Sequence, residues 1–214
     1  MSANGIESTV FLVDDDATVR AALRRGLVAE GFTVRLFESA DAFLAGDDPD
    51  LPGCLIADVS MPGMSGLELQ SLLAARGYSR PIIFITGKGS IPMSVQAMRA
   101  GAVTFLPKPV RLGELSAAVR EAFERDHRRR EEQAERTAVE SRLKALTGRE
   151  REVLELIVVG KLNKQIAAEL GAAEKTIKVH RGRVMAKLNV RSVAELVNLT
   201  ARVIRHGGSR LRAE

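Results

Sequence analysis

The sequence predicts two domains of different class: an α/β domain built on a parallel sheet, followed by an all-α domain. Over residues 9–125, five short apolar runs, "TVFLV", "TVRLF", "CLIA", "PIIFIT" and "AVTFL", alternate with helix-like segments, the pattern of strands joined by crossover helices. The runs are nearly continuous in apolar residues, which suits strands covered on both faces. Beyond Leu146 the strand-like runs stop, and apolar residues recur at helical spacing between capping signals.

The first run, Val10–Val13, reads as a buried strand and is followed at once by Asp14, Asp15 and Asp16. Helical patterns are expected near 17–30, 39–46, 65–76, 92–100 and 111–125, with Gly31 a stop before Phe32. The segment "FERDHRRREEQAERTAVESRLKAL", residues 123–146, has no Pro or Gly and reads as a helical linker continuing the fifth helix. Its middle is polar all round, so it is either solvent-bridging or paired with a partner. Leu143 and Leu146 mark the next core.

In "TGRE", Thr147 stands three before Glu150, a capping box, and Val153, Leu154 and Ile157 follow as an apolar stripe. "NKQIAAELG" offers Asn163 as an N-cap, then Ile166, Ala167 and Leu170, then Gly171 as a stop. A third helix buries Ile177, Val184 and Leu188, and "SVAE" (Ser192, Glu195) opens a fourth, lined by Leu196, Leu199 and Val203. The expected domains are 7–123, a linker at 124–144, a helical domain at 145–206 and a frayed tail at 207–214.

Composition excludes several classes. The chain has 214 residues, 45% hydrophobic and 28% charged, an ordinary globular profile. No apolar run approaches the roughly 20 residues of a membrane helix, and "MSANGIEST" lacks the basic and apolar regions of a secretion signal. The single cysteine, Cys54, cannot form an intrachain disulfide and is expected to pack near a strand, in a reducing cytoplasm. Charge is uneven: residues 1–120 hold 11 Lys/Arg against 13 Asp/Glu, and residues 147–214 hold 14 against 7. A basic C-terminal third favours an acidic partner, nucleic acid being the commonest, though it also suits a solubilising surface.

In an open parallel sheet, ligands bind outside the carboxyl ends of the strands. Asp14 and Asp15 end strand one, Asp58 strand three and Thr86 strand four, and Lys108 follows strand five. A hard cation such as Mg2+ takes carboxylate and phosphate oxygens and offsets the repulsion among clustered acids. A carboxylate poised this way can accept a phosphoryl group, and a lysine and a hydroxyl can then hold its oxygens. "DDD" alone would more often cap the next helix, the role expected of Asp16; the joint placement of Asp58, Thr86 and Lys108 favours the cation cage.

Residues 9–125 resemble the receiver domain of bacterial two-component response regulators, on the signatures "LVDDD", "ADVSMPGMSG", "FITGKG" and "FLPKP". The resemblance implies a flavodoxin-like sheet of order 2-1-3-4-5. It implies that Asp58 is phosphorylated from a sensor histidine kinase, with Mg2+ held by Asp15, Asp58 and the Ser60 backbone carbonyl, and by Asp14 through water. Lys108 would bind the phosphoryl group, and its bond to Pro109 is commonly cis in that family. Thr86 and Phe105 match the two switch positions; simple core packing is the other reading of Phe105. Residues 145–205 resemble the LuxR-type helix-turn-helix of NarL/FixJ regulators, on "LTGREREVLELIVVGKLNKQIAAELG" and "KTIKVHRGRVMAKLNVRS". The whole layout is similar to FixJ-type and styrene-response regulators.

By that resemblance the third helix of the C-terminal domain enters the major groove of promoter DNA. Lys178 and Val179 are the base-contact candidates, since lysine donates to guanine and valine meets a thymine methyl. Lys164, Lys175, Thr176, Arg181 and Arg183 are phosphate candidates, and His180 has no neighbouring His or Cys at zinc spacing. Ala173 stands where many relatives have a Ser or Thr cap, and Gly182 sits mid-helix at a cost of about 1 kcal/mol against Ala.

The expected function is a non-enzymatic, cytoplasmic DNA-binding regulator that forms a homodimer on phosphorylation, through a face holding Met93, Val95 and Arg99. RNA polymerase is a candidate further partner. Two alternatives are weighed. A Mg2+-dependent aspartyl-phosphate enzyme needs a substrate cap and a second acid two residues on, where this chain has Ser60. A DNA-binding protein with an unphosphorylated dimerisation module would not need the intact acid–lysine set.

Overall fold

The computed structural model describes residues 8–87 and 91–206, without the side chains of Ile91 and residues 202–206. The expected tail, the side chain of Val203 and Lys88–Gly89 of "FITGKG" lie outside the described residues. The chain divides into two compact units, 1–130 and 131–214.

In the first unit five parallel strands form one sheet in the order β2-β1-β3-β4-β5. They are β1 (Thr9–Val13), β2 (Thr33–Phe37), β3 (Gly53–Asp58), β4 (Ile82–Thr86) and β5 (Thr104–Pro107), in the expected order. The intervening helices are α1 (Ala17–Ala29), α2 (Ala40–Gly46), α3 (Gly66–Ala75) and α4 (Ile91–Arg99); α5 (Leu112–Lys144) follows β5. Alternate side chains of each strand point to opposite faces, so the sheet serves two cores. Phe11, Val13, Leu55 and Phe84 face α2, α3 and α4, where Phe43, Leu69 and Ala97 are buried. Val10, Leu12, Ile56 and Ile83 face α1 and α5, meeting Leu27, Leu115 and Val119.

β1, β3 and β4 are buried throughout, as their apolar runs predict. β2 departs from that expectation: it is an edge strand, and Thr33, Arg35 and Leu36 are exposed. Gly31 does end the first helical segment, with φ +88°, a backbone that favours glycine. Cys54 is buried in β3 with no disulfide, and burial pushes its thiol pKa well up.

The fifth helix runs unbroken from Leu112 to Lys144, joining the expected helix and linker. Its middle is not solvated all round. Asp126 is buried, and its carboxylate accepts the Gly53 amide at 2.9 Å while pairing with Arg129 and Arg130 at 2.6 and 2.8 Å. Arg130 also donates to the Pro49, Asp50 and Leu51 carbonyls. The helix is thereby held to the amino-terminal end of β3 as far as residue 130.

The second unit contains α6 (Gly148–Val158), α7 (Asn163–Glu169), α8 (Glu174–Leu188) and α9 (Val193–His206) around one core that includes Leu154, Ile157, Ile166, Ile177, Val184 and Leu196. The Thr147–Glu150 capping box forms in both directions, at 3.3 and 2.9 Å. At α9 only half of the expected box forms: Ser192 Oγ accepts the Glu195 amide, but the Glu195 carboxylate takes the Arg191 amide instead. Asn163 is not the N-cap of α7. Leu162 holds that position, and Gln165 accepts its amide at 2.8 Å. The Asn163 carboxamide is drawn to Arg181 Nη1 of α8, at 3.1 Å.

Candidate functional sites: an acidic pocket and a basic helix

At the carboxyl ends of the strands the structure gathers the predicted acids. Asp14 follows β1 and Asp58 ends β3, and both are buried; Asp15 is exposed. Oxygens of the three lie within 4.8 Å of one another. Lys108, just past β5, reaches over them, with Nζ 2.7 Å from Asp14 Oδ2 and 2.7 Å from Asp58 Oδ2. The Lys108 amide donates to the Thr86 carbonyl at 2.7 Å, so the end of β4 fixes where that side chain starts. The Lys108–Pro109 bond is cis.

Asp14, Asp58 and Asp16 are each oriented by backbone amides. The Asp16 amide donates to Asp14 Oδ1 at 2.9 Å, and Arg20 Nη1 donates to the Asp14 carbonyl at 2.5 Å. The Ser60 amide donates to Asp58 Oδ1 at 3.2 Å. Asp16 turns outward and caps α1, accepting the Thr18 and Val19 amides at 2.7 and 3.2 Å, and those amides lower its pKa.

Burial raises the pKa of Asp14, against the opposing pull of Lys108. Burial alone would lower the pKa of Lys108; its bonds to Asp14 and Asp58 outweigh that and raise it, keeping it cationic. Three carboxylates against one ammonium leave an excess of two negative charges in an oxygen-only donor set. That set fits a hard divalent cation.

Thr86 is buried one residue beyond Ile85, which pairs with Asp58 across the β3–β4 ladder. Phe105 pairs with Phe84 in the next ladder, and its half-buried ring lies 6.3 Å from the Phe84 ring. Met93 of α4 is half-buried against the same core. Val95 and Arg99 are exposed, as is Met98, which sequence reading did not single out. Gly66 was also missed: a β-carbon there would lie 2.3 Å from the Asp58 carbonyl oxygen. Glycine at this position lets α3 start against Asp58. The "MSG" run preceding α3 was the available signal.

In the second unit α7 and α8 are joined by a turn through Gly171, whose φ is +62°. Lys175, Lys178, Val179, Gly182 and Arg183 recur at i, i+3, i+4, i+7 and i+8 along α8, and all are exposed. The opposite face carries the buried Ile177, Val184 and Leu188. Val179 is 48% exposed amid cations. Lys164 on α7 and Thr176 are exposed as well. Arg181 is off this stripe, half-buried and engaged with Asn163. No side chain caps α8 at Ala173.

An acid–lysine pocket at the rim of a parallel sheet and a basic, exposed face on α8 of the four-helix unit are the two candidate sites. Comparison with known proteins gives the chain a family. Residues 10–120 match the response regulator receiver domain, and residues 144–200 match the luxR family of bacterial regulatory proteins. Nodulation protein W of Bradyrhizobium diazoefficiens is 46% identical over 194 residues, 91% of this chain and 86% of that protein. Response regulator protein TmoT of Ectopseudomonas mendocina is 43% identical, over 94% of this chain and 91% of its own. The solved response regulator StyR has a TM-score of 0.84 at 48% identity, covering 92% of this chain and 99% of that one. Full-length FixJ from B. japonicum has a TM-score of 0.54 at 38% identity, covering 92% and 97%.

The chain belongs to the response regulators, in the group that joins a receiver to a LuxR-type DNA-binding domain, and it is a transcriptional regulator. That membership implies a sensor kinase and DNA as its partners. Among the described residues no helix is long and apolar enough to cross a membrane.

Proposed function

We propose that Asp58 accepts a phosphoryl group from a phosphohistidine of the sensor kinase, and that this controls transcription through α8. The observation that carries the reading is the cluster itself: Asp58, oriented by the Ser60 amide, lies beside Asp14, Asp15 and the Lys108 ammonium. An Asp58 oxygen attacks phosphorus, the P–N bond breaks, and the imidazole nitrogen keeps the electron pair and takes up a proton. Lys108 then binds phosphoryl oxygens, a charge-assisted contact. A Mg2+ ion, when bound, neutralises charge on the acids and the phosphoryl group. Asp15, Asp58 and the Ser60 carbonyl would hold it directly, and Asp14 through water. The domain acts only on its own phosphoryl group, so the chain is a switch and not an enzyme with an outside substrate.

The Thr86 hydroxyl turns toward the phosphoryl oxygens, Phe105 follows into the space, and the surface of α4 around Met93, Val95 and Arg99 becomes a dimer face. Two helix-turn-helix units on one duplex make the second contact effectively intramolecular. Lys178 and Val179 read base edges, and Lys164, Lys175, Thr176 and Arg183 meet phosphates. Arg181 keeps Asn163 as a partner and offers its remaining donors to the backbone.

The experiment is incubation with acetyl phosphate and Mg2+, followed by mass. The wild-type chain gains one phosphoryl group and Asp58→Asn gains none. Full labelling of the variant overturns the assignment. Sedimentation with beryllofluoride tests the switch, with dimer expected; a monomer with unaltered DNA affinity overturns it.

A further inference from the structure

We propose that Gln70 of α3 is a positioning residue of the switch: it fastens the carboxyl end of α4 to α3, so that a change at the phosphorylation rim swings the amino end of α4 about a fixed point. This role rests on the reading in which Asp58 is phosphorylated.

Gln70 is 5% exposed, and a polar side chain is rarely so buried unless its hydrogen bonds are met. Its Nε2 donates to the Ala97 carbonyl at 3.3 Å and to the Ala100 carbonyl at 3.2 Å. Both partners are acceptors, so only the amide nitrogen can face them. A helix leaves its last four carbonyls without intrahelical partners. α4 ends at Arg99, and the backbone closes it at a glycine. The Gly101 amide donates to the Met98 carbonyl at 3.0 Å and the Ala102 amide to the Ala97 carbonyl at 3.1 Å, with Gly101 at φ +89°. Gln70 adds a second donor to Ala97 and takes the Ala100 carbonyl just past the helix. The end of α4 is thus tied by another helix as well as by its own chain.

α3 is itself held in place. Leu69 and Leu73, beside Gln70 on the same helix, are buried in the core. At its start, the Gly66 amide donates to the Val59 carbonyl at 3.1 Å, one residue past Asp58.

α4 therefore has two unlike ends. Its carboxyl end is tied to α3 and leads into the amino end of β5 at Thr104. Its amino end, Ile91, follows the carboxyl end of β4 at Thr86, on the rim that carries Asp58. The nine residues of α4 span about 13 Å. A swing about the tied end displaces Met93 most, Val95 less and Arg99 least.

The test follows amide exchange by mass in the full chain, comparing wild type with Gln70→Met at a dilution that keeps both monomeric. Methionine is of similar length, flexible, and lacks the donor. Without a phosphate mimic, Gln70→Met should speed exchange in peptides covering 97–103 about fivefold, the worth of one hydrogen bond. Unchanged exchange there overturns the tie. With beryllofluoride and Mg2+, the wild type should respond in 91–96 and much less in 97–103, whereas the variant should respond in both. An equal response of the two halves in wild type overturns the pivot. At higher concentration, sedimentation gives the ratio of dimer dissociation constants without and with beryllofluoride, and that ratio should fall about fivefold in Gln70→Met. A role in stability alone would lower Tm and leave the ratio unchanged, a result that overturns the proposal. Acetyl phosphate should label both chains equally, since Gln70 does not touch the acidic pocket. A wild type that takes no label sinks the phosphorylation reading and the pivot with it, whereas labelled chains with equal ratios sink the role of Gln70 alone.

Discussion

Removing the Asp126 carboxylate should destabilise the receiver far more than its place in an Arg- and Glu-rich helix suggests. Its side chain is 1% exposed and accepts the Gly53 amide, 73 residues away in sequence, at 2.9 Å. In Asp126→Ala that amide is left buried and unpaired, which costs about 1–3 kcal/mol. The two lost ion pairs add less: Arg129 and Arg130 are 36% and 29% exposed, so each pair is worth only about 0.2–1 kcal/mol. Both arginines also keep other partners, Ser79 for Arg129 and the 49–51 carbonyls for Arg130. The sum is about 1.5–5 kcal/mol, or a fall of roughly 6–20 °C in the receiver Tm. Asp126→Asn retains an acceptor for Gly53 and should lose about half as much.

The pH dependence follows from the same contacts. Despite burial, which opposes it, the bonds from Arg129, Gly53 and Arg130 hold the Asp126 pKa below 3.8. A carboxyl group depressed in the folded state contributes stability that is present above its unfolded pKa and lost as pH falls through the folded one. The gap between wild type and Asp126→Ala should therefore be full near neutrality and narrow below pH 3.8 toward the part due to the Gly53 acceptor, which a protonated carboxyl group still supplies. Urea unfolding of the full chain, followed by circular dichroism at several pH values, measures this. A loss under about 0.5 kcal/mol at neutral pH, the range of ordinary surface changes, would refute the burial argument. So would identical losses for the Ala and Asn variants.

Two further outcomes concern the functional sites. Asp15→Asn should weaken Mg2+ binding, read by titration of the unphosphorylated chain, because it removes a hard oxygen from the exposed side of the pocket; unchanged affinity would move the direct ligand role to Asp14. Lys178→Ala should cost about 1–3 kcal/mol at one base pair and relax preference there, whereas Arg183→Ala should weaken binding to all sequences and flatten the salt slope. Uniform loss in both variants would make Lys178 a phosphate contact.

The acidic pocket was legible in the sequence because a parallel sheet sends the residues after each strand to one rim. Asp14, Asp58, Thr86 and Lys108 needed only their strands to be found, and the strands announce themselves as apolar runs. The exposed stripe on α8 was legible from helical spacing once Ile177, Val184 and Leu188 were assigned to the core. What stayed hidden depends on contacts between segments far apart in the chain. Asp126 sits in "FERDHRRREE" and reads as one solvated charge among many; only the tertiary meeting with Gly53 makes it buried. Asn163 has the chemistry of an N-cap, but Arg181, 18 residues on, takes its carboxamide, and Gln165 satisfies the Leu162 amide instead. The β2 run, "TVRLF", differs from "TVFLV" by the central Arg35, which is exposed at the sheet edge and was the local signal available.

These hidden contacts bear on how the receiver is joined to the rest of the chain. β3 has six residues, all buried, so it spans about 17 Å from end to end. Its last residue, Asp58, is the proposed acceptor. Its first, Gly53, gives its amide to Asp126 of α5. One fully buried core strand therefore carries the proposed acceptor at its carboxyl end and the anchor of the outgoing helix at its amino end. The anchor uses backbone groups as partners: the Gly53 amide and the carbonyls of Pro49, Asp50 and Leu51. Backbone partners cannot swing away as side chains do, so the helix as far as Arg130 is part of the receiver.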